Sequence, residues 1–357
     1  MTYERDNIAR MQGYSYGEQP DSTDVVKLNT NENPYPPSPA VAAALANFDV
    51  GELRTYPNAL ANPLRAAITA QHGVHIDNVI ITNGGDEALR LALTTFVDAG
   101  AVFASLTPSY SLYPVLAEVQ DARQLNIPLS SDFELPQDLA GQLNDANTRL
   151  TCLVNPHAPS GTLVPATQLA ALARNLKGVL LVDEAYVDFI DPALDYDLTP
   201  LLQDTPNLVL LRSFSKGYSL AGLRCGYLLG HAGLIKPMLE KTRDSYNVDA
   251  VTQALALAAI KDQDYASASW ENVRSSRDQL AAQLTQLGFR VNASQTNFLL
   301  AQVRTEQKLN AAELYSALRE QNLYIRYFEE LPDRLRITVG TPAENAQLLS
   351  AIQKLLS

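Results

Sequence analysis

Short apolar runs recur through the middle of this 357-residue chain, at 79–82, 102–105, 125–127, 150–154, 179–182, 208–211 and 225–229, each parted from the next by polar or helix-length sequence. A run of that length with both faces apolar predicts a strand covered on both sides, because a solvated face would alternate apolar with polar residues. Such strands alternating with helices predict an α/β fold: an open, mainly parallel seven-stranded sheet between helices. Ligands in sheets of this kind gather beyond the carboxyl ends of the strands. The residues directly after each run are therefore where chemistry is expected.

Ser213-Phe214-Ser215-Lys216 follows the run ending at Leu211, and Arg224 precedes the next one. A lysine amine can condense with an aldehyde, while Ser213, Ser215 and Arg224 can hold a phosphate on the same molecule. Pyridoxal phosphate carries both groups. The alternative is a solvated surface lysine, the usual meaning of an isolated motif this short. Asn83-Gly84-Gly85-Asp86-Glu87 stands between a strand and a helix, where glycines let backbone amides approach an anion at the helix N-terminus. A plain turn capped by an acidic residue reads the same way.

Asn155 ends the run 150–154, and Asp183 follows 179–182. A carboxylate at the end of a buried strand is costly without a positive partner, so Asp183 points to a charged ligand group, such as a protonated pyridine nitrogen, or to a metal. It could instead cap the next helix. A metal is the poorer reading, because His72, His75, His157 and His231 are scattered and no Cys or His pair has ligand spacing.

Formal charge is −12, with 46% hydrophobic and 18% charged residues. That balance describes an ordinary globular protein and argues against a nucleic-acid surface, which needs clustered cations. Anionic ligands must be captured by local arginines against the overall field. Cys152 and Cys225 lie in apolar runs and read as buried thiols of a reducing compartment. The N-terminus lacks a secretory pattern and no apolar run approaches the ~20 residues of a membrane span, so a soluble, cytoplasmic protein with no membrane partner is expected.

The length suits two domains. Residues 1–40, rich in Pro, Asn and Tyr, read as an arm packing with the small domain, 41–247 as the large domain and 248–357 as a small α+β domain. The last contains an apolar helix at 251–260, an amphipathic one at 265–287 ended by Gly288, strands at 298–302, 323–327 and 335–339, and helices at 310–321 and after Pro342.

Taken together, Asn155, Asp183, Tyr186, Lys216 and Arg224, in this order and each at a strand end or the turn after it, resemble the fold-type I pyridoxal-phosphate aminotransferases. Within them, the stretches 29–36, Tyr56-Pro57, 83–87, 183–186, 213–216, 221–226 and 335–340 are most similar to the histidinol-phosphate aminotransferase family. The resemblance spans nearly the whole chain and implies an enzyme of histidine biosynthesis exchanging an amino group between L-histidinol phosphate and 2-oxoglutarate. It implies Lys216 as the covalent and proton-moving residue, Asp183 on the ring nitrogen, Asn155 and Tyr186 on the ring hydroxyl, and Tyr110 stacked on the ring. Gly85, Asp86, Ser213, Ser215 and Arg224 would hold the cofactor phosphate, with Tyr56 reaching it from the other subunit of a homodimer. Arg336, Arg326, Asn33 and Tyr16 or Tyr14 would meet substrate. Two departures stand out: Asn155-Pro156-His157-Ala158-Pro159-Ser160-Gly161 replaces the commoner Asn-Pro-Asn-Asn-Pro-Thr-Gly, placing His157 at the expected pocket rim, and Gly84 replaces Ala or Ser. A decarboxylase of a phosphorylated amino acid and an aromatic aminotransferase share these motifs and remain alternatives.

Overall fold

The structure, a computed structural model, describes residues 3–20, 22 and 24–357. The arm contributes helix α1 (Asp6–Arg10) and strand β1 (Val26–Lys27), followed by helices α2 (Pro39–Ala46) and α3 (Asn62–His72). The large sheet is built from β2 (Val79–Thr82), β3 (Val102–Thr107), β4 (Arg123–Pro128), β5 (Thr148–Val154), β6 (Val179–Asp183), β7 (Leu208–Ser213) and β8 (Gly226–Gly230). Its order is β2-β8-β7-β6-β5-β3-β4, with β8 antiparallel to both neighbours and the other pairs parallel. Each of the seven apolar runs is one of these strands.

Helices α4 (Gly84–Phe96), α5 (Leu112–Val119), α6 (Leu139–Asp145) and α7 (Ala166–Asn175) connect strands, and α8 (Ala232–Pro237) follows β8. Two apolar layers result, one on each face. Leu180, Val182, Leu208 and Leu210 pack on one side with α3 and α7, while Leu181, Val209, Leu211 and Leu228 pack on the other with α4 and α5. Successive strand residues point to opposite faces, so both sets had to be apolar.

Helices α9 (Ala250–Lys261) and α10 (Gln263–Gln286) lead to the smaller body. There β9 (Arg290–Val291), β10 (Phe298–Gln302), β12 (Arg326–Tyr327) and β13 (Arg334–Thr338) form an antiparallel sheet in the order β12-β13-β10-β9. Helices α11 (Ala311–Arg319) and α12 (Pro342–Leu356) cover it around Leu299, Ile337, Leu314 and Leu348.

Two expectations shift. The boundary at 247/248 falls too early, because α9 buries Leu255, Ala256, Ala259 and Ile260 in the large domain's core against α2 and α3. An apolar helix fits either body by pattern alone. The single strand expected at 323–327 is broken: β11 (Leu323–Tyr324) pairs in parallel with β1, whereas β12 pairs with β13, and buried Ile325 marks the corner.

The arm pairs with the small body through β1 and also packs on the large one. Arg5 and Asn7 donate to the carbonyls of Val119 and Glu118 at the end of α5, while Glu18 accepts from Arg319 on α11 at 2.5 Å. Among the described residues, no helix is long and apolar enough to cross a membrane. Cys152 and Cys225 are buried and free.

Candidate active site

The carboxyl ends of β5, β6 and β7 lie side by side, and the groups singled out in the sequence emerge there. Asp183 ends β6 opposite Leu211 of β7, and Lys216 lies in the loop just beyond β7. Asp183 is 5% exposed; its Oδ1 accepts from the amide of Ala185 at 3.1 Å and its Oδ2 from the hydroxyl of Tyr113 at 2.9 Å. Burial pushes its pKa up to about 6, although those two donors pull the other way. Tyr113, fully buried on α5, was not foreseen. The signal available was its place in the first turn of α5, three residues after Tyr110.

Lys216 Nζ donates to the carbonyl of Thr30 at 2.8 Å. Burial brings its pKa down to about 8, helped by Arg336, Lys27 and Arg224 and opposed by Glu32. Its fastening comes from the arm, in which every second residue from 29 to 33 is an asparagine with a separate task. Asn29 offers its carbonyl to Arg336 Nη2 at 3.1 Å. Asn31 donates to Tyr186 Oη at 2.9 Å and accepts from Thr338. Asn33 donates to the carbonyls of Lys216 and Gly217 and to Ser269 Oγ. Asn33 thus grips the backbone of the lysine loop; its amide is spent there rather than on substrate, which corrects the expectation.

Arg224 reaches the first turn of α4, where its Nη2 lies 3.3 Å from Asp86 Oδ2. It also donates to Ser215 Oγ at 3.4 Å and takes a left-handed backbone, φ 55°. Gly84 has φ 73°, and a Cβ there would stand 2.7 Å from Arg224 Nη2. Glycine at this position is therefore what admits the guanidinium. Asn83 leaves the start of α4 without a side-chain cap, so the amides of Gly85 and Asp86 head an uncapped positive helix end. Ser213 Oγ accepts from the Ser215 amide at 3.0 Å, and Tyr110 Oη donates to Asp86 Oδ1 at 3.2 Å.

Arg336 on β13 faces Arg326 on β12 across the ladder. Like charges directly opposite destabilise a sheet unless an anion lies between them. Both guanidiniums stack on Phe328, and Arg336 also on Phe298, while Arg336 Nε is buried with no partner among the described residues. An orphaned buried donor beside a second arginine is an arrangement that can hold an anion.

Other expectations require correction. Tyr16 is 78% exposed, whereas Tyr14 lies edge-on to Tyr110 at 6.0 Å and near enough to Arg336 and Tyr186 to bear on their ionisation. Tyr14 is the arm tyrosine at the site. Asn155 is fully buried, but its amide donates to the Val164 carbonyl and Tyr196 Oη and its oxygen accepts from the Val164 amide. Both amide hydrogens are engaged in holding the loop, so a ring hydroxyl would meet Asn155 through the remaining lone pair of its oxygen. His157, expected at the rim, is 3% exposed. Tyr56 is 80% exposed and stacks on Tyr246 at 4.4 Å beside a cleft of about 520 Å³, away from its own chain's Arg224.

Beneath the site, Glu184 with no side-chain exposure pairs with Arg212 at 2.9 Å and accepts from Tyr196 Oη. Arg212 continues to His72 at 3.2 Å and His72 to Tyr227 Oη at 2.9 Å. This buried network locks the ends of β6 and β7 together. Among the described residues, no group of three or more potential metal ligands occurs. The arrangement suits a ligand with an anionic group at α4, a cationic ring nitrogen at Asp183 and an electrophilic carbon at Lys216, and a second anion at Arg336.

The family model for aminotransferase class I and II matches residues 23–352. The chain is 44% identical to histidinol-phosphate aminotransferase 1 of a Nostoc species over 357 residues, covering 99% of this chain and 98% of that one. It is 39% identical to the histidinol-phosphate aminotransferase of a Synechocystis species, covering 98% and 97%. In fold it is similar to the crystal structure of histidinol-phosphate aminotransferase from Sinorhizobium meliloti in complex with pyridoxal-5′-phosphate, with a TM-score of 0.89, 24% identity and 99% of both chains covered.

Proposed function

The chain belongs to the class I and II aminotransferases, and we propose that it exchanges an amino group between L-histidinol phosphate and 2-oxoglutarate in histidine biosynthesis, with pyridoxal 5′-phosphate as cofactor. The observation that carries the reading is Lys216 and Asp183 at the carboxyl ends of neighbouring strands, with the paired Arg326 and Arg336 nearby. The residues fit the cofactor: Gly84 leaves the gap that Arg224 enters, α4 offers uncapped amides, and Asp183 is a buried carboxyl short of a cation.

In this reading Gly85, Asp86, Ser213, Ser215 and Arg224 would hold the phosphate, Tyr110 would lie against the ring and Tyr186 would bind the ring hydroxyl. When bound, the protonated ring supplies an electron sink for the bond broken at the substrate carbon. Asp183 keeps the ring nitrogen protonated. Lys216 Nζ would hold the cofactor covalently and, when free, would act as the base that takes the proton from the amine-bearing carbon of the substrate. Its depressed pKa leaves a useful fraction of neutral amine near neutral pH. Arg336, stacked and bidentate-capable, binds the phosphate of one substrate and the carboxylate of the other in turn, with Arg326 and Tyr14 beside it.

The exposed Leu45, Val50, Leu53, Tyr56 and Tyr246 support a homodimer, in which Tyr56 would reach the other copy's phosphate cradle.

Three assays in parallel decide the substrate: histidinol phosphate, phenylalanine and threonine phosphate, each with and without 2-oxoglutarate. Histidinol phosphate should react fastest and only with the oxo acid. Carbon dioxide release from threonine phosphate without oxo acid identifies a lyase instead, and equal rates with phenylalanine identify an aromatic aminotransferase.

Two variants test the roles. Arg336→Ala should raise KM for histidinol phosphate and for glutamate together, each about 100-fold, since a buried charged hydrogen bond is worth ~1.5–3 kcal/mol and the site loses a bidentate one. Tyr113→Phe should raise the pKa of Asp183 further and weaken cofactor binding at pH 7 about tenfold in equilibrium dialysis, through loss of one hydrogen bond to a charged group.

A further inference from the structure

We propose that His157 is a positioning residue that fastens the loop carrying Tyr110 to the end of β5, and so sets the aromatic platform on which the cofactor ring lies. The inference rests on pyridoxal phosphate being the cofactor. His157 belongs to the turn after β5, which closes on itself: its amide donates to the Thr162 carbonyl and its carbonyl accepts from Gly161, both at 2.7 Å.

The imidazole then reaches across to a different loop. Nε2 lies 2.9 Å from the carbonyl oxygen of Pro108. A carbonyl only accepts, so Nε2 carries the proton and bare Nδ1 accepts from the Ser160 hydroxyl at 2.7 Å. Ser160, fully buried, accepts in turn from the Thr162 amide at 3.2 Å. Burial holds the pKa of His157 down to about 4, so the imidazole stays neutral at physiological pH and Nδ1 stays an acceptor.

Pro108 stands two residues before Tyr110, in the connection between β3 and α5. Pro108 has no N–H, and Ser109 Oγ has no partner among the described residues. The Pro108 carbonyl is therefore the handle that this short connection offers to the β5 turn, beside the Tyr110 hydroxyl held by Asp86 on α4. On its far side the imidazole meets the ring of Phe133 at 5.6 Å, over which the Arg334 guanidinium lies at 4.9 Å. Arg334 opens β13, two residues before Arg336. Two buried rings, those of His157 and Phe133, thus stand between the platform loop and the strand that carries the substrate arginine.

The two ring nitrogens can be tested apart. In His157→Asn the shorter carboxamide can replace Nδ1 toward Ser160 but cannot reach Pro108. In His157→Gln the longer one restores the donor to Pro108. Ser160→Ala removes the Nδ1 partner and leaves the tether. Pyridoxal-phosphate dissociation constants are measured by equilibrium dialysis, with visible circular dichroism of the bound cofactor and melting curves of the cofactor-free proteins.

The tether predicts about fivefold weaker binding and a diminished dichroic band for His157→Asn, the loss of one neutral hydrogen bond, with near wild-type values for His157→Gln and Ser160→Ala. Wild-type affinity and dichroism in folded His157→Asn overturn the proposal. Should His157→Asn fail to fold, Ser160→Ala decides: undiminished affinity with a lowered melting temperature supports the tether, and an affinity loss of about fivefold overturns it in favour of the turn as a whole. Failure of the wild-type protein to bind the cofactor overturns the functional reading instead, and is distinguishable because no variant is needed to see it.

Discussion

Replacing Lys216 by alanine is expected to abolish transamination, by about 10⁴-fold or more, and to remove the visible absorbance that marks lysine-bound cofactor. The protein should remain folded, since the side chain's hydrogen bond is to a single carbonyl, that of Thr30. Lys216→Arg should fail equally, because a guanidinium stays protonated and cannot condense with an aldehyde. The wild-type amine gives a further handle. With its pKa near 8, the rate at which cofactor-free protein captures pyridoxal phosphate should rise about tenfold per pH unit up to that point and level off above it. A capture rate flat from pH 6 to pH 9 would show that the neutral amine is not the reacting form. Arg336→Ala removes a neighbouring positive charge and should move the inflection upward.

Asp183→Asn is expected to lower kcat about 10³-fold, because a neutral amide cannot keep the ring nitrogen protonated and the loss of a buried charge partner is worth ~3–5 kcal/mol. Its effect on stability should have the opposite sign in the cofactor-free protein. Burial raises the folded-state pKa of Asp183 to about 6, above the ordinary 3.8. A carboxyl shifted in that direction favours the fold most below its unfolded pKa, and that advantage is lost as pH rises from about 4 through about 6. At pH 8 the cofactor-free Asp183→Asn protein should therefore melt at a higher temperature than wild type, and the gap should close toward pH 4. Equal melting temperatures at pH 8 would mean that the ionised carboxylate is already compensated without the cofactor, by Tyr113 and the Ala185 amide alone. The expected higher melting temperature would instead mean that the site holds a destabilising carboxylate because function requires it.

The buried pair of Glu184 and Arg212 sharpens this contrast. It stands one residue beyond Asp183, yet its charges are matched and its remaining oxygen accepts from Tyr196. Asp183 has donors but no cation. Two adjacent acids at one strand end thus differ in the feature that separates structural from functional carboxylates: whether a protein cation neutralises them.

The sequence by itself determined the sheet and most of the chemistry. Strands covered on both faces leave continuous apolar runs, and a parallel sheet sends its functional groups to the strand ends, so β2 to β8 and the positions of Asp183, Lys216 and Arg224 could be read in advance. What only the tertiary structure decided was which polar side chains had partners left to find. Asn155 and Asn33 are spent on Val164, Tyr196 and the lysine loop, His157 is enclosed, Tyr14 rather than Tyr16 turns inward, and Tyr113 meets Asp183. The placement of α9 with the large domain was also decided there. Apolar periodicity is a local property written along the chain, whereas the satisfaction of a donor or the choice of a helix's partner depends on residues separated by anything from 9 to 183 positions, brought near only by folding.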